Sequence, residues 1–274
     1  MSEMINFRDR VTIAVADHIA DVRLARADKL NALDGDMFNG IAEAVEWLAG
    51  QKGVRVAVLS GEGRAFCAGL DLQAMMGTGG GVSTGGAPLA DRTHGPDKDA
   101  NLAQYAAWGW RTLPMPVIAA VHGVCFGGGF QIMSGADIRI ATADARMAIM
   151  EMKWGIVPDM AGYALWKGLV RDDIVRELTY TNREFSGEDA ARLGFVTHIA
   201  EDPHALAMTL AEAIAAKNPH AIRAAKALFN ANGDRTTAEI LKAESVAQDG
   251  LLRTPNQIEQ VMAEMQKRAP VFDD

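Results

Sequence analysis

Val117-Ile118-Ala119-Ala120-Val121-His122-Gly123-Val124-Cys125-Phe126-Gly127-Gly128-Gly129-Phe130-Gln131-Ile132-Met133 is the stretch on which the fold turns. Five apolar residues of strand length come first and end at a His-Gly pair. Three consecutive glycines then lead into an apolar helical run through Phe130, Ile132, Met133 and Ala136. A strand that enters a helix through glycines lets the backbone approach a ligand closely at the helix N-terminus. Free N–H groups and the positive end of the helix dipole both favour an oxygen carrying negative charge there. Three glycines alone do not make a site, because a Gly-rich turn before a helix is a common structural device.

A second segment of the same kind lies upstream. Gly61-Glu62-Gly63-Arg64-Ala65-Phe66-Cys67-Ala68-Gly69-Leu70-Asp71-Leu72 follows another short apolar strand at residues 54–59. One N–H from each segment would make an oxyanion hole, a fixed pair of donors that stabilises charge developing on a carbonyl oxygen. Neither segment fits GxGxxG in a βαβ unit, and GxxxxGK[ST] is absent, so dinucleotide and P-loop readings fall away.

Further outward, strand and helix signals alternate. Residues 11–15 and 19–24 read as a hairpin pair. Residues 36–49 carry Met37, Ile41, Val45 and Leu48 at helical spacing, and residues 138–141 and 147–150 read as two more strands. Strands separated by helices argue for a largely parallel sheet with α/β crossovers. After about residue 170 the strand signals fade. Segments 171–181, 187–193, 203–217, 219–230, 236–250 and 255–268 read as helices, three of them with Pro203, Pro219 or Pro255 near the start. No Ser/Pro-rich linker separates the α/β part from this tail. Residues 77–101 hold seven glycines and almost no apolar periodicity, which reads as a mobile, lid-like loop or as disorder.

Composition narrows the function classes. The 274 residues are 49% hydrophobic and 23% charged, and 27 basic against 35 acidic residues leave a net charge of −8. Without a basic cluster, nucleic acid and anionic membrane are poor partners. Met1-Ser2-Glu3-Met4 has no basic region followed by an apolar run, and no stretch approaches the ~18 apolar residues of a bilayer span, so a cytoplasmic protein is expected. Cys67 and Cys125 form no CxxC, and six scattered histidines show no HxxxH or HxH spacing, so no metal site is expected. Both cysteines read as small buried residues, and Trp108 and Trp110 as core packing on a helix after the Gly-rich stretch.

Taken together, several motifs closely resemble the crotonase superfamily of enoyl-CoA hydratases and isomerases. They are Ala27-Asp28-Lys29-Leu30-Asn31-Ala32-Leu33, Phe66 to Leu72, Pro116 to Gly123, Gly127-Gly128-Gly129, Ala136 to Ala141, Ala190 to Val196 and Lys267 to Phe272. The resemblance spans nearly the whole chain. It implies an α/β spiral of ββα units over residues 1–200 and a helical C-terminal region, 201–274, that drives oligomerisation and covers the site. Trimers in this family commonly pair into hexamers. Apolar positions in the tail, among them Ile214, Leu228, Ile240, Leu252, Val261 and Met265, fit such an assembly. The implied ligand is an acyl-CoA whose thioester carbonyl is polarised by the N–H groups of Leu70 and Gly128. Lys29, Ala68, Gly69, Asp71, Gly127 and Lys267 are the implied substrate or CoA contacts. Coenzyme A arrives as part of the substrate, and no further cofactor or metal is implied.

Family hydratases carry two glutamates, one two residues after the glycine triplet and one twenty residues further on. Here those places hold Gln131 and Glu151. Gln131 can orient a water or a carbonyl, but it cannot transfer a proton near neutral pH. Single-glutamate isomerases of the family keep the acid that matches Glu151. Asp159, eight residues after Glu151, stands at the offset where dienoyl-CoA isomerases have an acid; it also fits a helix cap before Met160. The expected catalytic set is therefore Glu151, Asp159 and Gln131, with double-bond isomerisation through a stabilised enolate favoured. The alternatives are hydration, with Gln131 and Glu151 holding the water, and a non-catalytic acyl-CoA-binding homologue.

Overall fold

The computed structural model describes residues 4–73, 89–231, 233 and 235–274. In chain order the strands are β1 (Met4–Phe7), β2 (Val11–Ala16), β3 (Ile19–Leu24), β4 (Val56–Gly61), β5 (Val117–Val121), β6 (Val124–Phe126), β7 (Ile138–Ala141), β8 (Arg146–Ala148), β9 (Phe185–Ser186) and β10 (His198–Ile199). The α-helices are α1 (Gly35–Ala49), α2 (Leu102–Thr112), α3 (Gly128–Ser134), α4 (Gly162–Trp166), α5 (Asp172–Thr181), α6 (Gly187–Leu193), α7 (Pro203–Ala215), α8 (Pro219–Ala231), α9 (Thr237–Leu251) and α10 (Pro255–Gln266).

One sheet runs β1-β2-β3-β4-β5-β7-β10, antiparallel through β3 and parallel from there on. Its central strands β4 and β5 are buried along their whole length because both faces are covered. Ala57 and Leu59 of β4, and Val117, Ala119 and Val121 of β5, face a core shared with α1, α2 and α3. Val56, Val58, Ile118 and Ala120 face the other way, onto Ala207, Ala211 and Ala215 of α7. Alanines four residues apart put one small stripe on α7, so the helix packs closely on the sheet. The first helix of the C-terminal region thus completes the core of the α/β part.

A smaller sheet, β6-β8-β9, holds the functional face. It pairs Phe126 with Ala148 in parallel, which brings the second glycine segment alongside the chain leading to Glu151. Strand β6 lies inside that segment and was not legible from periodicity, since three residues are too few to show a period. Edge strand β1 was missed for a related reason, because its four residues are exposed or half-buried and carry little apolar signal. The strand expected at 147–150 closes at Ala148, and Glu151 opens a short 3₁₀ turn, Glu151–Trp154.

Of the Gly-rich stretch, residues 77–88 lie outside the described residues. Residues 89–101 are tied down rather than structureless. Thr93 and His94 donate to Ala100 O, Ala100 N donates back to His94 O, and Asn101 Nδ2 donates to Leu89 O. Asn101 then caps α2 through a reciprocal pair of bonds with Gln104.

Candidate active site

The two glycine segments lie side by side. Cys67 N donates to Val124 O and Phe126 N donates to Cys67 O, so the chain before each donor is pinned to the chain before the other. Asn31, fully buried, holds the first segment from behind, its Nδ2 donating to Glu62 O, Ala65 O and Phe66 O. Leu33 N donates to Gly69 O and Asp71 N donates to Leu33 O, which brackets Leu70. In an extended chain alternate N–H groups face opposite sides, so the Leu70 N–H turns away from Leu33.

Glycine is required at two of these positions. Gly69 has φ +84°, and a Cβ there would come within 2.6 Å of Phe126 O. Gly127 has φ +50° and ψ −116°, a region closed to residues with side chains. Gly128 opens α3, so its N–H has no partner in the helical ladder. Among the described residues neither Leu70 N–H nor Gly128 N–H donates to a backbone carbonyl. An ideal Cβ on Gly69 would lie 3.6 Å from Gly128 N, a measure of how closely the segments approach.

Both donor positions line a cavity of about 760 Å³. Phe38, Leu72, Leu89, Ala103 and Met160 give it an apolar lining, and Arg146, Glu151, Lys153, Asp159 and Glu184 line it as well, Glu151 Oε1 lying 3.5 Å from where a Cβ on Gly127 would be. Among the described residues every lining residue falls between Phe38 and Glu184, and none of them comes from the C-terminal helices.

Glu151 is 6% exposed. Its Oε1 accepts a 2.5 Å hydrogen bond from Gln131 Nε2, while Oε2 is buried and has no partner among the described residues. Burial pushes the carboxyl above its ordinary pKa; the local backbone N–H groups of Glu151 and Met150 and the Gln131 bond pull against this, and nearby Asp159 adds to the rise. Asp159 is also raised by burial. It does not cap the following helix, whose N-cap is Ala161 with no side-chain bond. Of its two readings from sequence, the cap is therefore excluded and the cavity position remains.

Gln131 departs from the sequence-based expectation. It is 1% exposed and does not line the cavity. Its Oε1 accepts from both Met160 N and Gly162 N at 2.9 Å, and its amide reaches Glu151 from behind. Its oxygen thus has both lone pairs engaged, which leaves the second Nε2 N–H as the group it could offer a substrate water. Ala68, Gly69 and Gly127 do line the cavity. Asp71 does not; its carboxylate pairs with Arg26 at 2.8 Å beside the Leu70 peptide. Lys29, on an exposed 3₁₀ turn, and Lys267, at the end of α10, are likewise not lining residues in the single chain. The structure adds two contributions that the sequence reading did not assign, the support from Asn31 and the apolar wall from Phe38 and Ala103. A buried polar residue in an apolar stretch was the available signal for Asn31.

Among the described residues no group of three or more His, Cys, Asp or Glu is placed to hold a metal, and no helix is long and apolar enough to cross a membrane. Both cysteines are buried, and burial holds the Cys67 thiol near a pKa of about 12, so neither is an activated nucleophile.

The sequence pattern of the enoyl-CoA hydratase/isomerase family matches residues 15–274. The peroxisomal Δ(3,5)-Δ(2,4)-dienoyl-CoA isomerase of Arabidopsis thaliana is 31% identical over 253 residues, covering 90% of each chain. The carnitinyl-CoA dehydratase of Salmonella typhi is 33% identical over 261 residues, covering 93% of this chain and 94% of that one. Among solved structures, an enoyl-CoA hydratase from Bacillus anthracis superposes with a TM-score of 0.84 at 26% identity, covering 96% and 98% of the two chains.

Proposed function

The chain belongs to the enoyl-CoA hydratase/isomerase family, and from that premise we propose that it isomerises the double bonds of an enoyl- or dienoyl-CoA through a stabilised enolate. The observation that carries this reading is the carboxylate arrangement. Of the three acids that line the cavity, Glu184 is paired with Arg146; that leaves Asp159 and Glu151, whose buried Oε2 has no partner among the described residues, while the place of a second hydratase carboxylate is filled by an amide whose oxygen is fully engaged.

In this mechanism the thioester oxygen accepts from the N–H groups of Leu70 and Gly128. The Glu151 carboxylate takes a proton from the acyl carbon beside the carbonyl, and the electron pair moves onto the thioester oxygen. The two amides stabilise that charge more than they stabilise the ground-state carbonyl, which is what accelerates the step. Return of a proton to a carbon further along the chain re-forms the carbonyl and leaves the double bond shifted. Asp159 supplies that proton for a dienoyl chain; for a shorter shift Glu151 gives back the one it took. In the dienoyl case Glu151 must lose its proton and Asp159 regain one through solvent before the next turnover. A raised pKa suits a base that works in its ionised form and must also release the proton. The reaction requires no cofactor beyond the coenzyme A of the substrate.

Incubating 3,5-dienoyl-, 3-enoyl- and 2-enoyl-CoA separately and identifying products by mass distinguishes the readings. Products of unchanged mass with a shifted double bond are expected to form faster than products heavier by one water. Predominant gain of water would establish hydration instead, and no turnover of any substrate would favour a binding protein.

We also propose assembly as a trimer or a pair of trimers. Helix α9 buries no residue within its own chain, and Val246, Leu252, Val261 and Met265 are exposed along the last helices. Ile214 is not available for such contacts, since it packs against the sheet. Ultracentrifugation should find three or six chains at micromolar concentration; a stable monomer would overturn this.

A further inference from the structure

We infer that Gln131 is a positioning residue that holds the Glu151 carboxylate and the chain beside Asp159 with one amide. The inference rests on the reading of Glu151 as the base and says how that base is set. Its ground is that both ends of the Gln131 amide are engaged. Nε2 donates to Glu151 Oε1 at 2.5 Å, and Oε1 accepts from Met160 N and Gly162 N. The chain from Asp159 through Gly162 is thereby tied to the same side chain that orients Glu151. Helix α4 begins at Gly162, directly after a left-handed Ala161 (φ +66°), so these two bonds fix a tight corner next to Asp159.

The two carboxyl oxygens of Glu151 are made unequal by this arrangement. Oε1 accepts from Gln131, whereas Oε2 is buried with no hydrogen-bond partner among the described residues. A carboxylate with one oxygen in that condition is destabilised as an anion, which makes it the stronger base. The carboxylate in turn explains why the residue is an amide. A glutamate at 131 would still accept from Met160 N and Gly162 N, but it would set a second negative charge or a shared proton against Glu151. The amide supplies a donor on one side and an acceptor on the other, and its protonation does not change near neutral pH.

Space around Gly162 gives an independent handle. A Cβ there would come within 2.7 Å of Gln131 Oε1 and 2.6 Å of the Trp166 ring. Gly162→Ala therefore presses on the same amide without altering Gln131 itself.

The experiment compares wild type, Gln131→Leu, Gln131→Glu, Gly162→Ala and Glu151→Gln by pH profile of kcat/KM and by the split between kcat and KM, with circular dichroism confirming the fold. Gln131→Leu removes a bond that favours the ionised carboxylate, so the acidic limb should move to higher pH by about one unit while kcat falls roughly tenfold to a hundredfold and KM changes little. Gln131→Glu should move the limb at least as far in the same direction. Gly162→Ala should move it the same way by a smaller amount. If the limb stays in place in folded Gln131→Leu and Gln131→Glu while Glu151→Gln is inactive, Gln131 is only a packing residue and the positioning role is overturned. If Glu151→Gln stays active with its acidic limb intact, the reading of the base itself has failed. If Gln131→Leu does not fold, Gln131→Glu and Gly162→Ala decide the matter by the same limb.

Discussion

The two walls of the cavity are built from different materials. One is backbone: the Leu70 and Gly128 amides, held by Asn31, by the bracket around Leu70 and by the paired chains at Cys67 and Cys125. The other is side chain: Glu151 and Asp159, steered by Gln131. The backbone wall presents donors that no side-chain substitution at Leu70 removes, and it depends instead on glycines that permit its conformation. The acid wall depends on single carboxyl groups that can be removed without moving the chain. A backbone donor holds charge in the same place at every pH, whereas a carboxylate acts only when ionised. Binding and proton transfer are therefore separable here, and substitutions on the two walls should show it.

The largest effect is expected on the acid wall. Glu151→Gln keeps the size of the side chain and an oxygen for Gln131 to bond, but it removes proton transfer, so turnover should fall by about 10²–10⁴-fold. Acyl-CoA affinity, measured by calorimetry with a saturated acyl-CoA, should be nearly unchanged, because the proposed mechanism assigns the carbonyl to the backbone amides. Loss of affinity equal to the loss of rate would erase the distinction between the walls. Next comes Gly69→Ala. Its positive φ and the nearby Phe126 carbonyl force the Leu70 peptide to shift, and a lost hole donor is worth about 10²–10³-fold in rate. Here acyl-CoA binding should weaken together with turnover.

The smallest effect concerns stability. Glu151 has its pKa raised on folding, so its contribution to stability is fully present below the ordinary carboxyl range and is lost as pH rises through the raised value. At neutral pH the buried anion is thus a burden that the Glu151→Gln protein would not carry. Thermal melts of Glu151→Gln should lie about 1–3 °C above wild type at pH 7 and converge with it near pH 4. A lower melting temperature at pH 7 would mean that the carboxylate is better compensated than its orphan oxygen implies.

Much of the backbone wall was legible in the sequence. Apolar runs buried on both faces announce β4 and β5, and the glycines after them mark where the chain must bend in ways other residues resist. The register between Gly127-Gly128-Gly129 and Glu151 also survives in the fold, because β6 and β8 are neighbours in one sheet. The acid wall was legible only in residue type. That Gln131 turns its amide away from the cavity depends on Met160 and Gly162, about thirty residues along, whose N–H groups carry no signature in the sequence. Asp159 could be read equally as cap or catalyst, since both uses place an aspartate just before a helix. Only the corner at Ala161, which moves the helix start beyond reach of a capping side chain, separates them.

The account stands on Glu151 taking a proton from the carbon beside the thioester. In deuterated buffer, a saturated acyl-CoA cannot isomerise, yet it can exchange its C2 hydrogens wherever an enolate forms in the hole. Proton NMR of that position should show exchange catalysed by the wild-type protein and its loss in Glu151→Gln, with ligand still bound. Exchange at the wild-type rate in the variant would contradict the assignment and move the search for the base to Asp159.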